Sequence, residues 1–313
     1  MRHIVLLLAA LVLGVPMAGS TPRQVSVAAP PRPLLWKLSD ADTDVYLLGS
    51  FHLLKKSDYP LSSDVENAIA DAEALAFEIA PSELDDPSLP LRMAKLALGD
   101  ARTRYGTAVP APIREQLKAR MDALGLPVAQ LENFEPWFVD VTLVTTLAQR
   151  LGYSPENGLD RQLMARAKSA GKPTSGLETL DVQLASLDGT PLVEQVRALE
   201  DIADPREDLK ARFDELHGAW RNGDAQAIER LTREEMQDKT PETYRIVNVE
   251  RNRAWLPKIE AMLEAPAGHD TLVVVGALHL LGPDGLVAQL KARGLRIERV
   301  CTRCEAVQPR RGH

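Results

Sequence analysis

The chain reads as an α/β domain whose central mixed sheet is built from N- and C-terminal strands around a large helical middle section. Three observations lead there. Short apolar strand-like runs lie near both ends, at 45–48 and 271–275. The stretch from 112 to about 263 carries helical periodicity almost throughout. No interior Gly/Ser-rich linker separates the two regions, so the distant strands are expected to share one sheet.

Composition sets the outer limits. With 45% hydrophobic and 26% charged residues, the 313-residue chain can bury a core and is not generally disordered. Its length fits one large domain or two small ones. A net charge of −7 without a Lys/Arg-dense stripe argues against a nucleic-acid partner. Arg310 and Arg311 form only a short basic tail.

At the start, Arg2 and His3 precede an apolar run over 4–15, Pro16 breaks it, and Ala18, Gly19 and Ser20 follow. That order is the pattern of a secretory signal over 1–20, and the run is short for a bilayer span. A membrane anchor is the alternative. The expectation is export to the periplasm or beyond, with no stable membrane insertion of the mature protein. A Pro-rich disordered linker over 21–32, one domain over 33–305 and a flexible tail over 306–313 complete the layout.

Within the domain, 34–38 and 45–48 read as a hairpin across the polar turn 39–43. Val65, Ala68, Ile69 and Ala72 mark a helix over 61–74, and 74–79 is a short buried strand. Leu159, Leu163 and Ala167, then Gly171, mark a middle helix with its stop signal. A strand-like piece follows at 172–175. The run 271–275 is wholly apolar, so both its faces are covered. A helix over 286–291 and a strand over 295–300 close the domain. Cys301 and Cys304 then stand in a C-x-x-C spacing. Zinc would want a second pair, and export favours a small local disulfide, with free thiols or a redox pair as alternatives.

Two segments carry the candidate chemistry. One runs Val45, Tyr46, Leu47, Leu48, Gly49, Ser50, Phe51, His52, Leu53, Leu54. The other runs Leu272, Val273, Val274, Val275, Gly276, Ala277, Leu278, His279, Leu280, Leu281. Each is a four-residue apolar strand followed by Gly-x-x-His-Leu-Leu. A buried strand ends at the sheet rim, where open α/β folds bind ligands. Gly permits a sharp turn there, and the imidazole projects from a rigid support. If the strands are neighbours, both rings face one cavity. Imidazole is a common metal ligand and a natural general base near neutral pH. One such motif reads as a hydrogen-bonded core histidine; two in matching contexts read as a shared site. His217 and His269 follow no such strand.

The two motifs resemble the paired Gly-x-x-His signature of the TraB/PrgY/GumN family, which includes the Tiki proteins. Phe77-Glu78-Ile79 is similar to the family's acidic residue at the end of its next strand. Gly158-Leu159-Asp160, Lys172-Pro173 and Gly176-Leu177-Glu178-Thr179 resemble the GumN-type block. Glu250-Arg251-Asn252 with Trp255 resembles its Arg-Asn/Asp helix. The resemblance covers roughly residues 34 to 300, and the ordered set is what makes it specific. The cysteine pair is not part of it. The resemblance implies an erythromycin-esterase/ChaN-like α/β fold. Tiki members are divalent-metal-dependent proteases, TraB and PrgY members act on or against peptide pheromones, and GumN members occur with exopolysaccharide functions.

On that footing a divalent cation (Mn, Co or Zn) is expected on His52, His279 and Glu78. A metal-bound water is the expected nucleophile. Glu178 is the expected general base, and Arg251 an oxyanion or carboxylate binder. Gly49, Gly276, Asp160 and Asn252 are expected to support the site. Glu78 ends a buried strand, where a carboxylate needs a cation, an Arg or a proton, so a salt bridge to Arg251 is its structural alternative. Glu178 alternatively caps the helix beginning near Thr179. Asp160 reads first as an N-cap for Arg161 onward. The expected partner is a peptide or small extracytoplasmic substrate. The rival readings are a non-catalytic protein that sequesters a peptide or glycan, and an accessory factor for envelope polysaccharide.

Overall fold

Among the described residues, six strands form one mixed sheet in the order β4-β3-β5-β2-β1-β6. The strands are β1 (Leu35–Ser39), β2 (Asp44–Ser50), β3 (Ala74–Ile79), β4 (Thr174–Glu178), β5 (Thr271–Gly276) and β6 (Ile297–Arg299). The coordinates are a computed structural model that describes residues 29–125, 130–266 and 268–302. The expected signal segment, most of the linker, the tail and Cys304 lie outside the described residues, and with Cys304 the expected disulfide.

The four strands β4, β3, β5 and β2 run parallel. β1 is antiparallel to β2 across the expected hairpin, and β6 is antiparallel to β1. The strand from the far end of the chain therefore lies between two strands from its start. β5 is buried along Thr271–Val275, which explains its unbroken apolar run: both faces of a central parallel strand are covered. The Leu159–Ala170 helix packs against β3, and the Arg251–Leu263 helix against β2 and β4.

Among the described residues, the helical middle section contains one strand, β4. β4 interrupts it and runs to Glu178, beyond the strand-like piece at 172–175. Thr174 and Ser175 are exposed at the sheet edge, so half of the strand lacks the apolar signature of a buried one. Further out, the helices Ala111–Leu124, Pro136–Arg150 and Leu192–Ala203 bury their own small core, with Leu117, Met121, Val139, Leu143, Leu199 and Ile202 among its members. Two π-helical stretches, Arg230–Glu234 and Arg245–Glu250, precede the Arg251–Leu263 helix. Such stretches are rare and concentrate near functional sites. Among the described residues no helix is long and apolar enough to cross a membrane.

Candidate functional site

β2 and β5 are parallel neighbours, so their carboxyl ends open onto the same rim. The register offsets the two motifs by one residue: Gly49 lies opposite Val275, and Ser50 opposite Gly276. The equivalent glycines therefore do different jobs. A β-carbon on Gly49 would press on Leu34 and Ala277 at 3.2 Å, so Gly49 permits strand packing. A β-carbon on Gly276 would stand 3.3 Å from Glu78 Oε1, 3.5 Å from His52 Nε2 and 3.6 Å from His279 Cδ2. The open side of Gly276 is the point on which both imidazoles and one carboxylate converge.

His52 leaves β2 on an irregular turn that neighbouring elements hold in place. The Leu159 amide donates to the Phe51 carbonyl at 3.1 Å, and the Trp220 indole donates to the Gly49 carbonyl at 3.0 Å. The His52 Nδ1 lies 2.6 Å from Asp160 Oδ2, and Ser50 Oγ donates to the same oxygen. Asp160 does not cap its helix; Gly158 is the N-cap and Asp160 sits inside the first turn. The expected cap is thus a ring-orienting carboxylate. Gly158 makes this possible, because a β-carbon there would collide with the His52 carbonyl. Burial opposes charge on His52, but Asp160 outweighs it and lifts the imidazole to about 9.

His279 sits on the turn Ala277–Leu280. The Asn252 amide nitrogen donates to the His279 and Asp284 carbonyls at 3.3 and 2.9 Å, leaving Asn252 Oδ1 to face His279 Nδ1 at 2.7 Å. That arrangement puts the proton on Nδ1 and the lone pair on Nε2, toward the site. The Trp255 ring packs on the imidazole, with centroids 4.5 Å apart. Burial pushes His279 down to about 3, so it is neutral at physiological pH.

Arg251 joins the carboxylates. Its Nη2 donates to Glu78 Oε2 at 2.6 Å, and its Nε to Glu178 Oε1 at 2.9 Å. Its Nη1 donates to the Val247 carbonyl at 3.0 Å and approaches His279 Nε2 at 3.4 Å. Glu78 also accepts from the Gly276 amide at 2.7 Å and from Gln183 at 3.2 Å. Burial disfavours its charge, but the Arg251 guanidinium more than compensates and holds Glu78 well below the usual carboxylate range. Glu178 Oε2 accepts from Trp255 at 3.1 Å. Burial keeps the Glu178 carboxyl above its ordinary value despite Arg251. The cap at Thr179 is made by its own hydroxyl.

A cavity of about 110 Å³ opens on His52, Glu78, Arg251, Gly276 and His279. Glu178 does not line it. The carboxylate expected to reach a reacting water lies behind Arg251 instead. The polar hydrogens of Arg251 already face protein acceptors, so it meets the carboxylates before any oxyanion. Ser50 and Gln183 join the site without having been expected there. Ser50 falls within the first motif, whereas nothing local marks Gln183. His217 lies in a separate network, 3.0 Å from Asp58 and 3.1 Å from the Tyr153 hydroxyl.

A divalent ion fits these residues in kind. His279 Nε2 and Glu78 Oε1 stand 3.8 Å apart, a span that two bonds of about 2.1 Å to one ion can bridge. Each imidazole has its other nitrogen held by an oxygen acceptor, the arrangement that orients histidine ligands. Glu78, Glu178 and Asp160 outnumber Arg251 and the protonated His52, leaving negative charge for a cation to offset. Among the described residues, no three His, Cys, Asp or Glu side chains are arranged to hold a metal ion as they stand.

Comparison with known proteins finds a family match. The model of the TraB/PrgY/gumN family matches residues 34–299. The uncharacterized protein YbaP of Escherichia coli (strain K12) is 28% identical over 247 residues, covering 79% of this chain and 87% of YbaP. YbaP of Shigella flexneri matches to the same extent. No solved structure matches the chain.

Proposed function

The chain belongs to the TraB/PrgY/gumN family, and from that premise we propose that it is a metal-dependent hydrolase, peptidase-like, acting outside the cytoplasm. The observation that carries the reading is the convergence of His52, His279 and Glu78 on the open side of Gly276. These three would hold a divalent cation, Mn, Co or Zn, with His52 giving up its proton as the ion binds; the ion would supply Lewis-acid activation of a water.

The chain's own residues prepare that site. Asp160 fixes the His52 ring with Nε2 forward, and Asn252 fixes His279 in the tautomer whose Nε2 carries a lone pair. Glu78 is the carboxylate that lines the cavity, kept ionised by Arg251 as a ligand would need to be, whereas Glu178, behind Arg251, does not line the cavity to take the proton-accepting role expected of it. Glu178 clamps Arg251, which in turn holds Glu78 at the cavity wall. Export rests on the 1–20 segment of the sequence.

The test is hydrolysis of a defined peptide mixture, read by mass spectrometry, with chelator-stripped protein before and after Mn²⁺ addition. The reading expects hydrolysis only with metal, and its loss in both His52→Ala and His279→Ala. Product formed equally by both variants would refute it. A ligand retained without turnover would favour sequestration in the same cavity.

A further inference from the structure

We infer that the cavity selects a substrate with a leucine-sized aliphatic side chain beside the bond that is cleaved, an inference that rests on the hydrolase reading above. Away from the Gly276 end, the cavity is walled by buried apolar side chains: Phe51, Leu216, Trp220, Ile228, Met236 and Val247. Among the described residues, the charged side chains on its lining are Glu78 and Arg251, which are paired with each other, besides the two histidines. A carboxylate or ammonium entering the apolar part would lose its water without gaining a partner.

Volume narrows the class. A cavity of about 110 Å³ is smaller than the ~150 Å³ apolar cavity that takes up a benzene ring. It accommodates an isobutyl group better than an indole or a sugar ring. A glycan also needs hydrogen-bond partners for each hydroxyl, and away from the catalytic groups the uncommitted polar lining is sparse. Ser186 and Thr232 already donate to the carbonyls of Val182 and Ile228, and Gln183 donates to Glu78. The inference thus favours a peptide with an aliphatic residue over a polysaccharide.

Two partly exposed residues flank the apolar walls, Ser186 on the Leu180–Asp188 helix and Thr232 on the Arg230–Glu234 stretch. They make the selectivity testable without disturbing the buried core. The experiment measures kcat/KM of the full chain with Mn²⁺ on acetylated pentapeptides that vary one position as Ala, Leu, Asp or Lys. In parallel, NMR titration of the metal-free protein compares N-acetyl-leucine amide with N-acetyl-alanine amide. The expected result is a preference for Leu over Ala of about tenfold or more, the scale of added methylenes in an apolar pocket, with Asp and Lys below Ala. Ser186→Phe and Thr232→Phe should each collapse the Leu/Ala ratio and weaken leucine-amide binding. Hydrolysis with a flat Leu/Ala ratio overturns the inference and leaves the hydrolase reading intact. No hydrolysis, with leucine-amide binding that both variants weaken, removes the hydrolase reading and leaves the selectivity standing. Equal binding of the two amides overturns the inference whatever the turnover.

Discussion

The two Gly-x-x-His arms share a sequence pattern and a sheet rim, yet they hold their imidazoles in opposite electrostatic states. The first arm presents His52 to a carboxylate, Asp160, and the ring is lifted to about 9. The second presents His279 to an amide, Asn252, on a more buried ring, and burial drives it to about 3. Side-chain exposure falls from 17% at His52 to 8% at His279. The comparison teaches that the motif only places the ring. The partner on the other nitrogen, supplied by a distant helix, helps set how basic the ring is.

The comparison can be broken hardest at Arg251, which touches the second arm. Arg251→Met leaves Glu78 and Glu178 buried without their counter-charge, and the loss of stability should be about 3–5 kcal/mol by urea unfolding. Glu78 would then act on His279 without the opposing Arg251 charge, so the His279 pKa should rise in an NMR titration. An unchanged unfolding midpoint would show that Arg251 does not neutralise the pair.

The pH dependence of stability is the next largest effect, measured in chelator so that both rings are free. His52 is raised above its unfolded value near 6.5. Its contribution is complete below that pH and is lost as pH climbs through about 9. By linkage it amounts to at most about 3 kcal/mol. His279 is depressed, so its folded form resists protonation. Its contribution is complete above 6.5 and declines as pH falls toward 3. His52→Ala should flatten the alkaline side of the stability profile, and His279→Ala the acidic side. Flattening of the same side by both substitutions would contradict the assignment.

Exchanging the partners sharpens the comparison further. Asp160→Asn should lower the His52 pKa and Asn252→Asp should raise that of His279, both read from ring-proton chemical shifts. The smallest contrast is between the glycines. Gly49→Ala crowds Leu34 and Ala277 and should cost about 1–3 kcal/mol. Gly276→Ala should cost less stability by the same unfolding measurement, because its methyl enters the cavity. It should nevertheless abolish activity by filling the point of convergence.

Much of this arrangement is legible in the sequence, for identifiable reasons. β2, β3 and β5 are found because central parallel strands leave apolar runs, and the glycines that end two of them mark the rim. β4 is half hidden, since Thr174 and Ser175 lie exposed on an edge strand. Asp160 looks like a helix cap because local spacing cannot reveal a partner 108 residues away. Glu178 and Arg251 are recognisable as site residues, but their mutual clamp is a tertiary fact. It turns the expected base into a support for the guanidinium. The register offset between the two arms is equally non-local, and it gives the twin glycines separate tasks.

The account stands on both arms serving one site. Manganese titration of chelator-stripped protein, followed by electron paramagnetic resonance, tests this most directly. One equivalent should bind to the wild type, and His52→Ala and His279→Ala should each lose it. Full binding retained by either variant would show that the two imidazoles do not share an ion.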